Sequence, residues 1–457
     1  MTARTPAKLP PGPTGNFLFG SLRDFRANPL ALLLQLCSEY GDVCRFRVAT
    51  TEFYLINHPD LIAHVLVDKD KRYRKSWIDK QAIEPLAGQG LLTIEGDLWK
   101  RLRRLLQPLF SQQMLESYSQ IVTDFTSEML ENWKSWVEKE ETFDLGEQIT
   151  TLALRVIAKA ILGIDFANVD KELLESFEIA IDHANTVLDS VVPVPDWVPT
   201  PAHLRFRHAK KVLDTQVIQL IEQHRRDKLQ GKDLLSLMMS VRDEETGQGL
   251  SDELLRDQTL TFFGAGHETT AQSLKWLFYM LSRHPAVEQK VQEEIRRVLG
   301  GRTPTFKDAA AMPYTKMVIH EVMRVWPPVW MMEREAAVED ELGGYVVPPG
   351  TQVAFSQWVM HRHPKYWENP EGFDPERFSS ERSAGRAHGA YFPFGAGPRV
   401  CIGNTFSLME MQMIVPTILQ KYRLDVMPSP PVVPKPTFTL RPMYGVPVRA
   451  IPRSAMS

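Results

Sequence analysis

The stretch "FPFGAGPRVCIGN", residues 392–404, decides how this chain is interpreted. Gly395, Gly397 and Pro398 precede Cys401 and allow a tight turn whose backbone can approach a flat partner closely. The apolar segment that follows, "FSLMEMQMIVPTILQKY", predicts a helix that begins just after the cysteine. The dipole and free amides of a helix N-terminus stabilise a negative sulfur, so the pattern predicts a thiolate of lowered pKa. That thiolate could be a nucleophile, a metal ligand or inert.

Cysteine is rare elsewhere in the chain. Only Cys37, Cys44 and Cys401 are present, and there is no Cys-x-x-Cys pair. This count excludes a disulfide framework, offers no structural zinc site and indicates a reducing compartment. Cys37 and Cys44 fall on the apolar faces of a predicted helix and strand, which favours core positions for both.

Length and charge narrow the class of protein. The chain has 457 residues, of which 43% are hydrophobic, so it can bury a large core. Lysine and arginine total 53 against 56 aspartates and glutamates, a formal charge of −3. This balance gives no indication of nucleic-acid binding, and any charged docking site must be local.

The N-terminal stretch "MTARTPAKLPPGPTGN" carries no apolar run that could span a bilayer or act as a signal peptide. We therefore expect a soluble cytoplasmic protein without a transmembrane segment. The alternative is an anchor removed by cloning, because "LPPGP" is typical of the stiff hinge that can follow one.

The pattern of residues predicts a helical front half and a back third of short strands and proline-punctuated loops. Asn28-Pro29 predicts the start of a helix that Gly41 ends, and "VCRFRV" with "EFYLINH" predicts a hairpin. The longest helix is predicted from a cap at Ser251 to His284, about 50 Å in length. Its middle, "FFGAGHETTAQS", is poor in helix formers, which indicates either a kinked core helix or a functional site.

Five motifs, taken in order, resemble those of the cytochrome P-450 family. They are "WKRLR" (99–103), "AGHETT" (265–270), "EVMR" (321–324), "PERF" (375–378) and "FGAGPRVCIG" (394–403). The resemblance implies a mainly α fold with smaller β-sheets (α+β), with haem between a long central helix and the cysteine loop. It implies one domain over residues 1–457, with β-rich portions at 41–60 and within 335–457.

The resemblance also implies which residues hold haem b, iron protoporphyrin IX. Cys401 is then the thiolate ligand of the iron, a metal position whose electron donation favours O–O cleavage. Phe394 packs beside the sulfur, and Gly397 and Gly403 shape the loop. The positions that match propionate-binding residues of the family are Trp99, Arg103, Arg334 and Arg399.

A charge pair precedes the loop. Glu321 and Arg324 share one helical face, and an isolated pair of this kind is usually a solvated contact worth less than about 1 kcal/mol. Neighbouring valines favour a buried pair here. The resemblance adds Arg377 and implies a structural charge cluster, in which losing one partner costs about 3–5 kcal/mol.

The middle of the long helix matches the family's oxygen-binding segment. The resemblance implies a groove for dioxygen at Ala265 and Gly266, and a catalytic acid and alcohol at Glu268 and Thr269 that relay protons. His267 lies within the motif, but the matching family position is variable, so we do not assign it as a ligand.

These features predict a haem-thiolate monooxygenase that inserts one oxygen atom from dioxygen into a substrate by hydroxylation or epoxidation. Peroxide-driven members of the family tend to lack the acid and alcohol that this chain keeps. The alternatives are a peroxygenase, a haem-thiolate isomerase or dehydratase, and a haem sensor or carrier without turnover. Zinc or thiol chemistry at Cys401 lacks partner ligands in the sequence.

No part of the chain resembles a reductase domain, so electrons from NAD(P)H must arrive through a separate partner. We expect a ferredoxin or flavodoxin with its reductase. Lys100, Arg101 and Arg104 offer a basic helix face for an acidic partner, or are simply solvated.

Bulky apolar residues occupy the segments that line the substrate pocket in the family. The candidates are Phe262, Phe263, Ala265, Val329, Trp330 and Met331, within segments 260–266 and 327–334; the regions 72–92 and 439–445 are also expected to line the pocket. They favour a small hydrophobic substrate, such as a fatty acid, terpenoid or steroid-like molecule. The plain alternative is that these aromatic residues are core.

Overall fold

Helices dominate the chain. The computed structural model describes residues 8–67, 72–165, 171–189, 194, 197–227, 233–243 and 246–453, so the first seven residues of the N-terminal stretch lie outside it. The helices are α1 (Leu22–Ala27), α2 (Pro29–Tyr40), α3 (Pro59–Val67), α4 (Trp77–Ala87), α5 (Gly96–Leu106), α6 (Gln112–Glu138), α7 (Leu145–Leu162), α8 (Lys171–Asp189), α9 (Pro201–Arg226), α10 (Leu234–Ser240), α11 (Asp252–Arg283), α12 (Pro285–Leu299), α13 (Pro313–Val325), α14 (Gln357–Met360), α15 (Ser380–Ser383) and α16 (Asn404–Lys421).

The strands are short and gather into small sheets. They are β1 (Val43–Val48), β2 (Thr51–Ile56), β3 (Tyr73–Lys75), β4 (Phe143–Asp144), β5 (Met332–Ala336), β6 (Asp340–Leu342), β7 (Tyr345–Val347), β8 (Gln352–Phe355), β9 (Tyr422–Val426), β10 (Pro434–Pro436), β11 (Leu440–Pro442) and β12 (Pro447–Pro452). The largest sheet has the order β1-β2-β8-β5-β3, in which only the β2–β8 pair is parallel. The predicted mainly α fold with smaller sheets is confirmed.

Local signals in the sequence set the ends of the first long helix and the hairpin. The Asn28 side chain accepts a hydrogen bond from Ala31 N at 3.0 Å, and Gly41 ends α2 with a φ of 82°, a left-handed value that favours glycine. The predicted hairpin is the antiparallel pair β1–β2, with Val43 opposite Ile56. Its apolar alternation places Cys44 in the core.

Helix α11 is the central element, and its predicted bounds are confirmed. Ser251 caps it by accepting from Leu254 N at 3.3 Å, and Pro285 begins the next helix. The helix stays unbroken through its glycines and threonines. One reason is close packing on α7, because a Cβ at Gly266 would lie 2.6 Å from Ile157 Cδ1.

The core surrounds α11. One large apolar cluster joins α5, α6, α7, α11, α13 and α16, and two smaller clusters lie on the two faces of the five-stranded sheet. Trp276 of α11 is fully buried and stacks on Trp326 with 4.0 Å between ring centroids. No helix in the described part of the chain is both long and apolar enough to cross a membrane.

Candidate active site

A large cavity runs between α11 and the cysteine loop, which comprises residues 392–403. Its volume is about 1380 Å³, which exceeds the roughly 300–1,000 Å³ of ordinary small-molecule pockets, so a flat prosthetic group and a substrate have room together. The cavity is walled by α11, by residues 328–334, which run into β5, by the cysteine loop, and by α1 with the start of α2.

Backbone bonds and close packing fix the cysteine loop. Cys401 N donates to Phe394 O at 2.9 Å, and Arg103 Nη1 donates to Val400 O at 2.9 Å. Gly397 has a φ of +69°, and a Cβ there would lie 2.2 Å from Leu66 O, so only glycine fits. The loop therefore holds Cys401 at the cavity wall, with Phe394 and Gly403 beside it.

The predicted low pKa of Cys401 is wrong for the thiol by itself. Burial raises the pKa of Cys401, and the backbone hydrogen bond at Gly403 and the charge of Arg103 only partly offset that rise. The sulfur is nevertheless exposed on the cavity side. Desolvation outweighs the helix N-terminus here, so a bound metal ion is needed to keep the sulfur ionised at neutral pH.

The four residues predicted to bind propionates all reach the same cavity: Trp99, Arg103, Arg334 and Arg399. The Arg399 guanidinium lies 4.5 Å from the centre of the Trp99 ring, and it is 3.7 Å from Glu95. Burial lowers the pKa of Arg103 and of Arg399. These desolvated cations favour an anionic ligand.

The donor set fits haem. One thiol opens into the cavity, and cationic side chains that suit two carboxylates surround it. Within the described ranges, no group of three or more histidine, cysteine or acidic side chains could hold another metal ion. A zinc site at Cys401 therefore has no ligand set among these residues.

The wall opposite Cys401 comes from α11. Ala265, Gly266 and Thr269 line the cavity, and the Thr269 hydroxyl donates to Ala265 O at 2.9 Å. This bond uses the only hydroxyl proton of Thr269 and leaves its oxygen able to accept a proton donor.

Glu268 is placed differently from its neighbour. It is not among the described residues that line the cavity; its Oε1 accepts from Gln272 at 2.9 Å and from Thr439 at 2.8 Å. Burial acts to raise the pKa of Glu268, but His267, Lys275 and these two hydrogen bonds outweigh burial and lower it.

The remaining residues of the motif, His267 and Thr270, form hydrogen bonds to other groups of the protein. His267 is buried, bonds to Phe263 O at 3.0 Å and lies against the rings of Phe177 and Phe263. Thr270 lies 3.0 Å from the Ser407 hydroxyl of α16, at the cavity wall.

The sequence analysis missed Glu410, a lone acid on the apolar helix α16. Burial raises its pKa to about 8, although a hydrogen bond from Thr270 acts to lower it. Its Oε1 has no hydrogen-bond partner among the described residues. The signal available in the sequence was a single acidic residue within an otherwise apolar predicted helix.

The charge cluster lies behind the cysteine loop. Glu321 and Arg324 are completely buried and form a bidentate pair at 2.7 and 2.8 Å. Arg324 also donates to His361 O at 2.9 Å, and Arg377 Nε lies 3.4 Å from Glu321. The solvated-pair alternative is therefore wrong for Glu321 and Arg324.

The pocket candidates divide into cavity and core residues. Phe262, Ala265, Val329, Trp330 and Met331 line the cavity. Phe263 instead packs edge-on against Phe177, with 4.7 Å between ring centroids. Near the C-terminus, residues 433–438 and 443 line the cavity. Most of these residues precede the segment 439–445 that was predicted to line the pocket.

The amino-acid sequence matches the family model described as cytochrome P450 (cytochrome P-450) over residues 10–446. Cyclooctat-9-en-7-ol 5-monooxygenase of Streptomyces melanosporofaciens is 35% identical over 414 residues, which cover 90% of this chain and 88% of that enzyme. Pentalenene oxygenase of Streptomyces avermitilis is 34% identical, with 89% of each chain covered.

Solved structures show the same fold. The haem domain of cytochrome P450DA has a TM-score of 0.89 and 27% identity, with 98% of each chain covered. The retinoic acid-bound cyanobacterial CYP120A1 has a TM-score of 0.88 and 24% identity, covering 98% of this chain and 100% of that one. The chain therefore belongs to the cytochrome P-450 family and is a monooxygenase of the kind that uses haem and dioxygen.

Proposed function

We propose that this enzyme hydroxylates or epoxidises a terpenoid hydrocarbon or a steroid-like relative of it. The reaction takes one substrate, one dioxygen, two electrons and two protons, and it yields one oxygenated product and one water. The observation that carries the proposal is the composition of the cavity beyond the cysteine. Its walls there are largely apolar, with Phe25, Leu30, Leu34, Phe46 and Trp330 among them.

Two of the relatives support this substrate class, because their names refer to cyclooctat-9-en-7-ol and to pentalenene. Arg26 and Lys435 also line the cavity and could contact a carboxylate, which keeps a fatty acid as the competing substrate. The shape of the apolar cavity would select a terpenoid hydrocarbon, whereas the charge of these two side chains would select a fatty acid.

In this proposal one set of residues binds the haem and another set transfers protons. Haem, when bound through Cys401, supplies the reductive activation of dioxygen. The residues that would hold its propionates are Trp99, Arg103, Arg334 and Arg399. Thr269 accepts a hydrogen bond from a proton donor at the cavity wall, and Glu268 is the acid that supplies the protons.

A binding screen followed by turnover tests the substrate class. Pentalenene, dodecanoate and testosterone are titrated into the ferric enzyme, and the change in spin state is recorded. Ligands that bind are then incubated with a ferredoxin, its reductase and NADPH, or with hydrogen peroxide alone. Product from pentalenene with the reductase supports the proposal; product from dodecanoate alone, or from peroxide alone, overturns it.

Replacing Thr269 with alanine should uncouple electron use from product formation. Without the hydroxyl, nothing on Thr269 positions the proton donor at the cavity wall. We therefore expect product to fall about 10²-fold while NADPH oxidation continues and hydrogen peroxide accumulates. Thr269→Ser keeps the hydroxyl and should retain most of the product. An unchanged ratio of product to NADPH in Thr269→Ala would remove Thr269 from the relay.

We also propose that an acidic ferredoxin or flavodoxin docks beside α5. The Lys100 side chain is 56% exposed, and among the described residues it pairs with Asp97 alone, at 3.1 Å on the surface. Arg101 and Arg104 instead approach the buried Asp243 carboxylate, at 3.5 and 3.1 Å. Lys100 is therefore the best available contact of the three.

Reversing the charge of Lys100 tests this docking face. We expect Lys100→Glu to slow reduction by the partner several-fold at low salt, and the difference from wild type should vanish at high salt. Stopped-flow reduction across a salt series measures it. Equal rates for Lys100→Glu and wild type at low salt would place the docking face elsewhere.

A further inference from the structure

The segment from Pro436 to Leu440 touches both the cavity and the central helix. Pro436, Thr437 and Phe438 line the cavity. The next residue, Thr439, is 1% exposed, and its hydroxyl donates to Glu268 Oε1 at 2.8 Å. One short segment therefore joins the substrate side of the cavity to the proposed acid.

Other hydrogen bonds hold this segment in place. Phe438 N donates to Asn185 of α8 at 2.8 Å, and Trp330 Nε1 donates to Thr437 O at 2.7 Å. Leu440 O accepts from Trp276 Nε1 of α11 at 2.8 Å. The Thr439 hydroxyl is thus fixed against Glu268 by a segment that is anchored on three sides.

The charges near Glu268 keep its carboxyl group ionised. On α11, His267 and Lys275 both act on the Glu268 carboxylate and lower its pKa, although burial lowers the pKa of each of them. Asp144 of β4 and Arg441 of β11 act in turn on Lys275. An ionised carboxylate that points to Thr439 and Gln272 has no proton to give to the cavity.

We propose that Thr439 is a positioning residue that holds Glu268 out of the cavity as a carboxylate, and that displacement of the 436–440 segment releases it. A substrate that presses on Phe438 moves the same segment that carries Thr439. Release removes one hydrogen bond to the charged form, which favours protonation and frees the side chain. Proton delivery would then depend on an occupied pocket, which limits futile peroxide formation. This inference rests on the proposed role of Glu268 as the acid.

Removing the Thr439 hydroxyl tests the inference in the holoenzyme. The titration of Glu268 is followed by isotope-edited infrared spectroscopy, and its band is assigned by its loss in Glu268→Gln. We expect the midpoint to move upward in Thr439→Val, because a bond that lowers the pKa is gone, and to return in Thr439→Ser. Thr439→Ala serves if the valine variant does not fold.

A second measurement separates positioning from simple packing. Without substrate, Thr439→Val should release several-fold more hydrogen peroxide per NADPH than wild type, and Thr439→Ser should not. Thr126→Val is the matched control, because Thr126 is buried in α6 away from the cavity and its hydroxyl donates to Val122 O at 2.6 Å. An unchanged midpoint, an unchanged peroxide yield, or the same changes in Thr126→Val would each overturn the inference. The infrared titration is independent of turnover, so failure of the proposed monooxygenation would be seen separately.

Discussion

Replacing Cys401 with alanine is expected to abolish both the red-shifted Soret band of the reduced carbon monoxide complex and all monooxygenase turnover. The sulfur is the single thiol of the cavity wall, and thiolate donation to iron produces both properties. Arg103 and Arg399 remain in Cys401→Ala, so some haem should still bind, with an unshifted band. Visible spectra of the dithionite-reduced protein with carbon monoxide measure the change.

Cys37→Ala is the matched control for this prediction. Cys37 of α2 is partly buried and packs against one of the two smaller apolar clusters on the five-stranded sheet. Burial raises its pKa to about 11, so it is a protonated thiol at neutral pH. We expect a normal red-shifted band and full turnover in this variant. A normal band in Cys401→Ala would mean that another group binds the iron, and the assignment of the loop would fail.

The sequence was sufficient to predict local structure wherever a single residue type determines it. Asn28 and Ser251 accept the backbone hydrogen bonds expected of helix caps, and Gly41 takes the left-handed conformation that ends α2. Gly397 is needed because Leu66 O fills the space of any side chain. The resemblance to the family named Cys401, Arg103 and the other propionate candidates, and all of them line one cavity.

Properties that depend on distant parts of the chain were harder to predict. Phe262 and Phe263 are adjacent and equally apolar, yet Phe263 packs against Phe177 of α8, whereas Phe262 packs against Phe110 and lines the cavity. Likewise, the Cys401 pKa depends on protein packed around the sulfur, which the helix N-terminus did not reveal. Nothing in the sequence near Thr439 indicates its bond to Glu268, 171 positions away.

The buried charge pair shows how much burial changes the meaning of a motif. Two residues three positions apart predict a pair, yet the free energy of such a pair ranges from near zero in water to several kcal/mol when one partner is left alone in the core. The structure decides between these cases through exposure, which is 0% for both Glu321 and Arg324. The same cluster is connected to the cysteine loop through His361. Its carbonyl oxygen accepts from Arg324, and its Nε2 accepts from Phe392 N at 3.1 Å.

Replacing Arg324 with methionine should destabilise the fold by about 3–5 kcal/mol, because the buried carboxylate of Glu321 loses its bidentate partner. Three backbone carbonyls also lose a donor, namely those of His361, Pro370 and Gly372. The first of these belongs to the residue that holds the start of the cysteine loop, so the haem-loaded fraction should fall with stability. Denaturant unfolding of the holoenzyme and its haem content measure the two effects.

Arg225→Met is the matched control, since Arg225 forms an equally bidentate pair with Asp252, at 2.6 and 3.1 Å, on the surface. Its two side chains are 55% and 48% exposed, so water replaces the lost partner and the cost should stay below about 1 kcal/mol. Equal losses in the two variants would contradict the argument from burial. A stable Arg324→Met variant with little haem would instead mean that the cluster orients the cysteine loop and contributes little to the free energy of unfolding.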